Sequence, residues 1–284
     1  MDEGSFNIVQ SIKYFTEKLS EIYAPEEADS IAHYYFEHKL TLSKWQIYEN
    51  RSTILQFELF ENDLQRLMLF EPVQYVTGIA WFCDRKYFIE KGVLIPRPET
   101  EELILRIKDF VKFDNPRILD IGTGSGCIAI TLKLLFPNSN ITAIDLSKKA
   151  LDLTKRNAEQ LGAEITILHE DVFNLSDEIQ KSKFDLIVSN PPYVRMIEKT
   201  QMNENVLNYE PEMALFVPDS DPLMFYKKIG EYSLTKLNSS GQLFFEINEN
   251  FRDDICQLLK EQGYNNVHSF KDIHEKWRIV RAQK

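Results

Sequence analysis

The sequence is poor in several residue types and patterns, and each shortage excludes a class of protein. It has three cysteines, Cys83, Cys127 and Cys256, far apart and without a Cys-x-x-Cys pair, so neither a disulfide framework nor a zinc site is indicated. The five histidines are scattered, and we expect no metal site. No apolar run approaches the ~18 residues of a membrane span. The acidic start, residues 1–6, lacks the apolar stretch of a secretory signal. A cytoplasmic protein without membrane contact is expected.

Basic residues are also in short supply. The 284 residues include 44 Asp and Glu against 33 Lys and Arg, a net charge of −11, and no cluster of lysine or arginine stands out. Binding to a duplex phosphate backbone normally needs a basic face, so direct DNA binding is not expected. The length exceeds that of a usual single domain, and a hydrophobic fraction of 43% suffices for a buried core.

The pattern of apolar residues divides the chain into three parts: residues 1–71, residues 72–92 and residues 93–284. The first part has helical periodicity, with a helix start at Pro25 and a longer helix after Arg51 that carries Ile54, Leu55 and the apolar residues up to 68. The second part has β-type composition on both sides of Gly78, including residues 74–77, and is predicted as a β-hairpin linker.

Strands and helices alternate in the third part, which predicts a doubly wound, mostly parallel, Rossmann-like α/β sheet. Pro98 opens one helix, and residues 127–135 form another. The predicted strands are residues 117–121, 141–145, 165–168, 185–188, 242–247, 267–270 and 278–281. Ligands of such sheets lie at the carboxyl ends of the strands.

A glycine-rich turn, Gly122-Thr123-Gly124-Ser125-Gly126, joins the first of these strands to a helix. Such a turn lets the backbone approach a nucleotide-type ligand closely, and Asp145 ends the next strand near the ~20-residue offset expected for a ribose-binding acid. The glycines follow Gly-x-Gly-x-Gly, not the Gly-x-Gly-x-x-Gly of dinucleotide enzymes. Asp120 would repel a pyrophosphate, but it suits a cationic ligand such as the amino group and sulfonium of S-adenosylmethionine.

Residues Asn190-Pro191-Pro192-Tyr193 follow the strand predicted at 185–188 and offer what a planar amino group needs. The Asn190 side-chain oxygen accepts a hydrogen bond, and Pro191 has a backbone carbonyl but no N–H. Tyr193 presents an aromatic face for stacking. Two acceptors that hold both N–H groups favour the pyramidal nitrogen that attack on a methyl group requires. Taken alone, the four residues are also compatible with a rigid turn without chemistry.

Together these features resemble the class I S-adenosylmethionine-dependent methyltransferases, and within them the HemK/PrmC-type release factor glutamine methyltransferases. The resemblance covers roughly residues 72–282 and includes residues 74–78, 94–101, the glycine loop, the Asn-Pro-Pro-Tyr tetrad and residues 209–211. The block Arg97-Pro98-Glu99-Thr100 separates this family from other amino-methyltransferases that share the tetrad. The resemblance implies S-adenosyl-L-methionine as cofactor. It also implies that the substrate is the glutamine in the Gly-Gly-Gln loop of peptide chain release factors.

On this basis each candidate residue has an expected role. The Asn190 side chain and the Pro191 carbonyl orient the target NH₂, with Tyr193 packing against it. Asp145 accepts from the ribose hydroxyls, and Asp171 and the backbone of Val172 meet the adenine. The expected catalytic residues are Asn190, Pro191, Pro192 and Tyr193, and the expected cofactor-binding residues are Asp120, Gly122, Thr123, Gly124, Ser125, Gly126, Asp145, Leu146, Asp171, Val172 and Asn190.

Residues 1–71 are expected to recognise the protein substrate, and the enzyme is expected to be a monomer. Three other functions remain compatible with parts of the sequence. A nucleic-acid adenine methyltransferase needs the same tetrad, but the acidic charge disfavours it. A nicotinamide-dependent dehydrogenase fails on the glycine spacing, and a nucleoside-binding scaffold would lack methyl transfer.

Two positions depart from the family pattern, which usually has glycine at both. Asn248 follows Glu246-Ile247, and because asparagine tolerates a positive φ the turn is expected to survive. Glu275 stands in the segment 272–278, where it puts the local loop shape in question.

Overall fold

The computed structural model describes residues 5–56 and 58–284, which divide into two compact units. The first unit comprises the described residues up to 79 together with residues 203–209, and the second comprises residues 80–202 and 210–284. Residues 1–4 lie outside the described residues. They form part of the acidic start, residues 1–6, for which no secretory signal was expected.

The first unit is mainly helical and has its own core. Phe15, Tyr35 and Phe36 are fully buried at its centre, with ring centroids 4.8–5.0 Å apart. Its elements up to residue 77 are β1 (Ser5–Asn7), α1 (Ile8–Leu19), α2 (Pro25–Lys39), α3 (Lys44–Glu49), β2 (Ile54–Gln56), α4 (Glu58–Met68) and α5 (Val73–Thr77).

Two segments of this unit differ from the sequence-based prediction. Ile54–Gln56 is a strand paired antiparallel with Ser5–Asn7, whereas the apolar pattern predicted a helix there. Val73–Thr77 is a helix, whereas its composition predicted β-structure. Pro72 precedes that helix and Gly78 ends it with φ 73°, which is the usual placement of both residues at helix ends. The hairpin therefore begins only at residue 79.

The remaining elements follow in alternation. They are β3 (Ile79–Phe82), β4 (Arg85–Phe88), α6 (Pro98–Phe110), β5 (Arg117–Ile121), α7 (Cys127–Leu135), β6 (Asn140–Asp145), α8 (Lys148–Leu161), β7 (Thr166–His169), α9 (Asp177–Lys181), β8 (Phe184–Ser189), β9 (Val194–Arg195), α10 (Glu204–Tyr209), α11 (Glu212–Leu215), β10 (Phe216–Val217), α12 (Met224–Lys236), β11 (Leu237–Glu246), α13 (Arg252–Gln262), β12 (Asn265–Lys271) and β13 (Trp277–Gln283), with 3₁₀ helices at Met196–Gln201 and Glu249–Phe251. Helix α10 belongs to the first unit, where the Tyr209 hydroxyl donates to the Leu69 carbonyl at 2.7 Å.

The second unit contains a seven-stranded sheet in the order β12-β13-β11-β8-β5-β6-β7. The five strands from β11 to β7 are parallel, and β13 is antiparallel to both of its neighbours. The predicted doubly wound, mostly parallel sheet is thereby confirmed. Adjacent residues Ile118 and Leu119 of β5 belong to different apolar clusters, so both faces of the sheet are covered. Among the described helices, none is both long and apolar enough to cross a membrane.

The two positions that depart from the family pattern behave differently. Asn248 has φ −71°, so the positive φ considered for it is not required, and its side chain caps the short helix Glu249–Phe251. Glu275 has φ 62°, the left-handed region that favours glycine. Its turn is held by Asp272, whose Oδ1 accepts from the backbone N–H groups of His274 and Lys276. A glycine at position 275 would adopt this conformation without strain.

Candidate active site

The carboxyl ends of the central parallel strands lie in register. Ile121 at the end of β5 pairs with both Ile144 and Ser189, and Phe245 also pairs with Ser189. The residues that follow, including Gly122, Asp145 and Asn190, therefore meet at one edge of the sheet. This is the point where the strand order reverses, with β6 on one side of β5 and β8 on the other, and ligands of such sheets bind there.

A cavity of about 270 Å³ opens at this edge, and residues of the second unit line it. Most of the residues predicted for the site border the cavity. These are Gly122, Thr123, Gly124, Ser125, Asp145, Leu146, Asp171, Val172, Asn190, Pro191 and Pro192. Of the predicted residues, Asp120, Gly126 and Tyr193 lie outside its lining.

The three glycines of the loop all have left-handed backbones, with φ 76°, 59° and 82°, but their surroundings differ. A Cβ at Gly122 or Gly124 would meet nothing within 4 Å, so the backbone there faces open space. A Cβ at Gly126 would lie 2.8 Å from side-chain carbons of Ile130 and Thr154, so that glycine serves helix packing. The Thr154 hydroxyl donates to the Gly124 carbonyl at 2.9 Å and so holds the glycine loop against α8.

Asp145 connects the end of β6 to the glycine loop. Its Oδ2 accepts from the Gly124 N–H at 2.9 Å, and its Oδ1 accepts from the Ser147 N–H at 2.8 Å. Burial raises the pKa of this carboxyl, while these hydrogen bonds act in the opposite direction. Each oxygen has a further lone pair, so the carboxylate can still accept from a ligand.

Asp120 lies behind the glycine loop. It is fully buried, and its Oδ2 accepts from the Thr123 hydroxyl at 2.7 Å. Its Oδ1 makes no hydrogen bond of standard geometry to any residue that the structure describes. Burial raises its pKa to about 7, opposed by the hydrogen bond from Thr123. In this structure the carboxyl supports the loop from the core, so the contact with a cationic ligand that the sequence suggested stays a prediction.

The tetrad is held from behind by residues that the sequence analysis did not select. The Asn190 Nδ2 donates to the Thr100 hydroxyl oxygen at 3.3 Å, and the Thr100 hydroxyl donates to Glu246 Oε2 at 2.6 Å. Glu246 is almost fully buried. Burial raises its pKa, while the hydrogen bond from Thr100 and the charge of Arg278 act in the opposite direction.

Tyr193 supports the tetrad from outside the cavity lining, and its stacking against the target amide stays a prediction. Its half-buried ring packs against an apolar cluster of the sheet, and its hydroxyl donates to Glu246 Oε1 at 3.1 Å. Its backbone carbonyl accepts from Asn248 Nδ2 at 3.4 Å. The inward orientation buries the apolar ring while the Glu246 carboxylate accepts a hydrogen bond from its hydroxyl.

A partly buried ion pair lies at another part of the cavity wall. Arg97, which lines the cavity, donates through Nη2 to Glu210 Oε1 at 2.7 Å, and Glu210 Oε2 accepts from the Ile95 N–H at 3.3 Å. Both residues fall in segments that carry the family resemblance, yet no spacing rule could pair them across 113 positions. The rings of Phe173 and Phe225, 5.3 Å apart, add an apolar wall that the sequence analysis also missed.

Comparisons with known proteins agree with this architecture. The family model described as "Methyltransferase small domain" matches residues 102–212, and that described as "PrmC N-terminal domain" matches residues 10–78. A release factor glutamine methyltransferase of Bacteroides thetaiotaomicron is 44% identical over 95% of this chain and 98% of its own length. One of Flavobacterium psychrophilum is 42% identical over 80% and 81%. The crystal structure of a Pyrococcus furiosus methyltransferase shares the fold, with a TM-score of 0.53 at 19% identity over 70% of this chain and 88% of that one.

Proposed function

The chain belongs to the release factor glutamine methyltransferase family, and on that premise we propose the reaction that it catalyses. It transfers a methyl group from S-adenosyl-L-methionine to the side-chain amide nitrogen of the glutamine in the Gly-Gly-Gln motif of peptide chain release factors. The observation that carries this proposal is the placement of Asn190 and Pro191 on the same cavity as the glycine loop and Asp145. Amide-binding acceptors and a nucleoside-type binding loop thus share one enclosure.

The residues of the cavity fit the methyl donor. The open space beside Gly122 and Gly124 accommodates a close approach by the donor, and Asp145 retains acceptor capacity for two ribose hydroxyls. Asp171 and Val172, with the ring of Phe225, are the proposed contacts of the adenine. When bound, the donor supplies an electrophilic methyl group on a sulfonium centre.

The tetrad activates the target by holding it. An amide nitrogen is a poor nucleophile because its lone pair is delocalised into the carbonyl. Acceptors at Asn190 and Pro191 that bind both N–H groups favour the pyramidal nitrogen, and these contacts strengthen as positive charge develops during attack. No base is required beforehand, since the nitrogen can lose its proton during or after transfer. Positioning of this kind can lower a barrier by roughly 7–11 kcal/mol in favourable cases.

The substrate is tested by mass spectrometry of a release factor co-expressed with this enzyme. We expect one added methyl group, located by fragmentation on the glutamine of Gly-Gly-Gln. A release factor in which that glutamine is replaced by alanine is the control and should remain unmodified. Methylation of adenine in nucleic acid, with none on release factor, would contradict the proposal. The expectations of a monomer and of no direct DNA binding stay predictions.

The donor site is tested by calorimetry on Asp145→Ala. Loss of charged hydrogen bonds to the ribose should weaken binding of S-adenosyl-L-methionine by about 1.5–3 kcal/mol. Asp185→Ala is a matched control, because Asp185 accepts from the Arg117 N–H at 2.9 Å at the opposite end of the sheet. The control should keep wild-type affinity. Unchanged affinity in Asp145→Ala, with NADH bound by the wild type, would point to a different cofactor.

A further inference from the structure

Three side chains from distant parts of the sequence form a hydrogen-bonded relay that ends at the tetrad. Thr100 in α6 lies between Asn190, which follows β8, and Glu246, which ends β11. Thr100 and Glu246 are 2% and 1% exposed, so water cannot readily replace either contact. The relay therefore sets the environment of the Asn190 amide from the protein side.

The chemistry of the relay fixes where each proton lies. The 2.6 Å distance between the Thr100 hydroxyl and Glu246 Oε2 is typical of a hydroxyl that donates to a carboxylate. Tyr193 donates to the other oxygen at 3.1 Å, so donors face both oxygens of Glu246. A threonine has one hydroxyl proton. With that proton directed at Glu246, Thr100 presents only lone pairs to Asn190.

It follows that Asn190 must turn its NH₂ group toward Thr100, which leaves its Oδ1 for the other side. The two ends of an asparagine amide have nearly the same shape, so shape alone does not choose between them. A flipped amide would place an N–H donor where the target glutamine also presents N–H groups. Two opposed donors would repel and could not hold the nitrogen for attack.

We infer that Thr100 and Glu246 are positioning residues that keep the Asn190 amide oxygen turned toward the target NH₂. This inference rests on the proposed function, because it gives the orientation a role in glutamine methylation. Thr100 borders the cavity and Glu246 lies outside its lining, and the inference requires neither to touch the substrate. Glu246 also holds Tyr193, so one buried carboxylate supports two of the four tetrad residues.

The test compares Thr100→Val, which removes the hydroxyl at constant shape, with Thr100→Ser, which keeps it. In Thr100→Val, kcat for methylation of release factor should fall about 10- to 100-fold, the range known for hydrogen-bond partners that orient metal-binding side chains. KM and the Kd of S-adenosyl-L-methionine should stay near wild type. Thr100→Ser should restore most of kcat. Thr131→Val is the control, because Thr131 is also fully buried and hydrogen-bonded, to the Tyr87 hydroxyl at 2.8 Å.

A double-mutant cycle separates positioning from general stability. If Thr100 acts through Asn190, Thr100→Val should cause no further loss of kcat in the Asn190→Ala background. Thermal unfolding checks each variant, and Thr100→Ala replaces Thr100→Val if the latter does not fold. The inference would be overturned if Thr100→Val were as active as wild type, or if its loss of kcat added to that of Asn190→Ala. Either result would leave the proposed function standing. A wild-type enzyme that leaves release factor unmodified would overturn the proposed function, and the inference with it.

Discussion

Asn190→Ala is expected to lose nearly all methyl transfer while it keeps most of its affinity for the methyl donor. The side chain lines the cavity and offers an acceptor whose contact with the target nitrogen tightens in the transition state. Removing one preorganised contact of this kind lowers kcat by roughly 10²–10³. Because the contact strengthens during attack, kcat and kcat/KM should fall together. Steady-state kinetics with release factor and calorimetry with S-adenosyl-L-methionine measure the two quantities separately.

Asn238→Ala provides a matched comparison for this variant. Asn238 is also a hydrogen-bonded asparagine, donating through Nδ2 to Asp185 Oδ1 at 2.7 Å, but it lies outside the cavity lining. Its turnover should match that of the wild type. An Asn190→Ala enzyme with normal kcat and only a raised KM for release factor would make Asn190 a docking residue, and the mechanism proposed here would be wrong.

The sequence-based predictions are accurate where an element depends on residues close together in the sequence, and they fail where it depends on residues far apart. Helix α7 and strand β5 have the predicted bounds because a buried apolar run and a glycine-rich turn are local signals. Strand β2 was not predicted because its identity depends on pairing with β1, 47 to 51 positions earlier along the chain, which periodicity cannot reveal. Helix α5 was not predicted because the composition between Pro72 and Gly78 favours a strand, whereas these two end residues are typical of a helix.

The residues of the site also fall into those that the sequence could place and those that it could not. Residues that directly follow strands, such as Asp145 and Asn190, could be placed because the ends of parallel strands share one edge of the sheet. Thr100 and Glu246 are separated by 146 positions, and only packing of α6 against the sheet brings them together. The inward orientation of Tyr193 depends on the same buried carboxylate. Side chains that support a motif from behind thus need the tertiary structure to be found.

The helical unit is expected to matter far more for an intact release factor than for a short Gly-Gly-Gln peptide. A glutamine amide offers few contacts, whereas specific protein complexes bury roughly 1,200–2,000 Å². This unit exposes several large apolar side chains, and the rings of Trp45 and Tyr48 stack 5.9 Å apart at its surface. Tryptophan and tyrosine are enriched where partner proteins bind. The exposed side chains are Val9, Trp45, Tyr48, Ile54, Leu59 and Leu69.

Deletion of residues 1–70, which removes most of the helical unit but leaves α5 and α10, tests this expectation, because the second unit has apolar clusters of its own. Methylation of intact release factor should fall at least tenfold more than methylation of the peptide, a difference of about 1.4 kcal/mol. The glycines of the peptide let its backbone enter the cleft without side-chain clashes, so that activity should persist. Thermal unfolding must first establish that the truncated enzyme is folded. In the full-length chain, the combined substitution Trp45→Ala and Tyr48→Ala should lower activity on release factor in the same direction. Equal losses on both substrates would leave the helical unit with a structural role only.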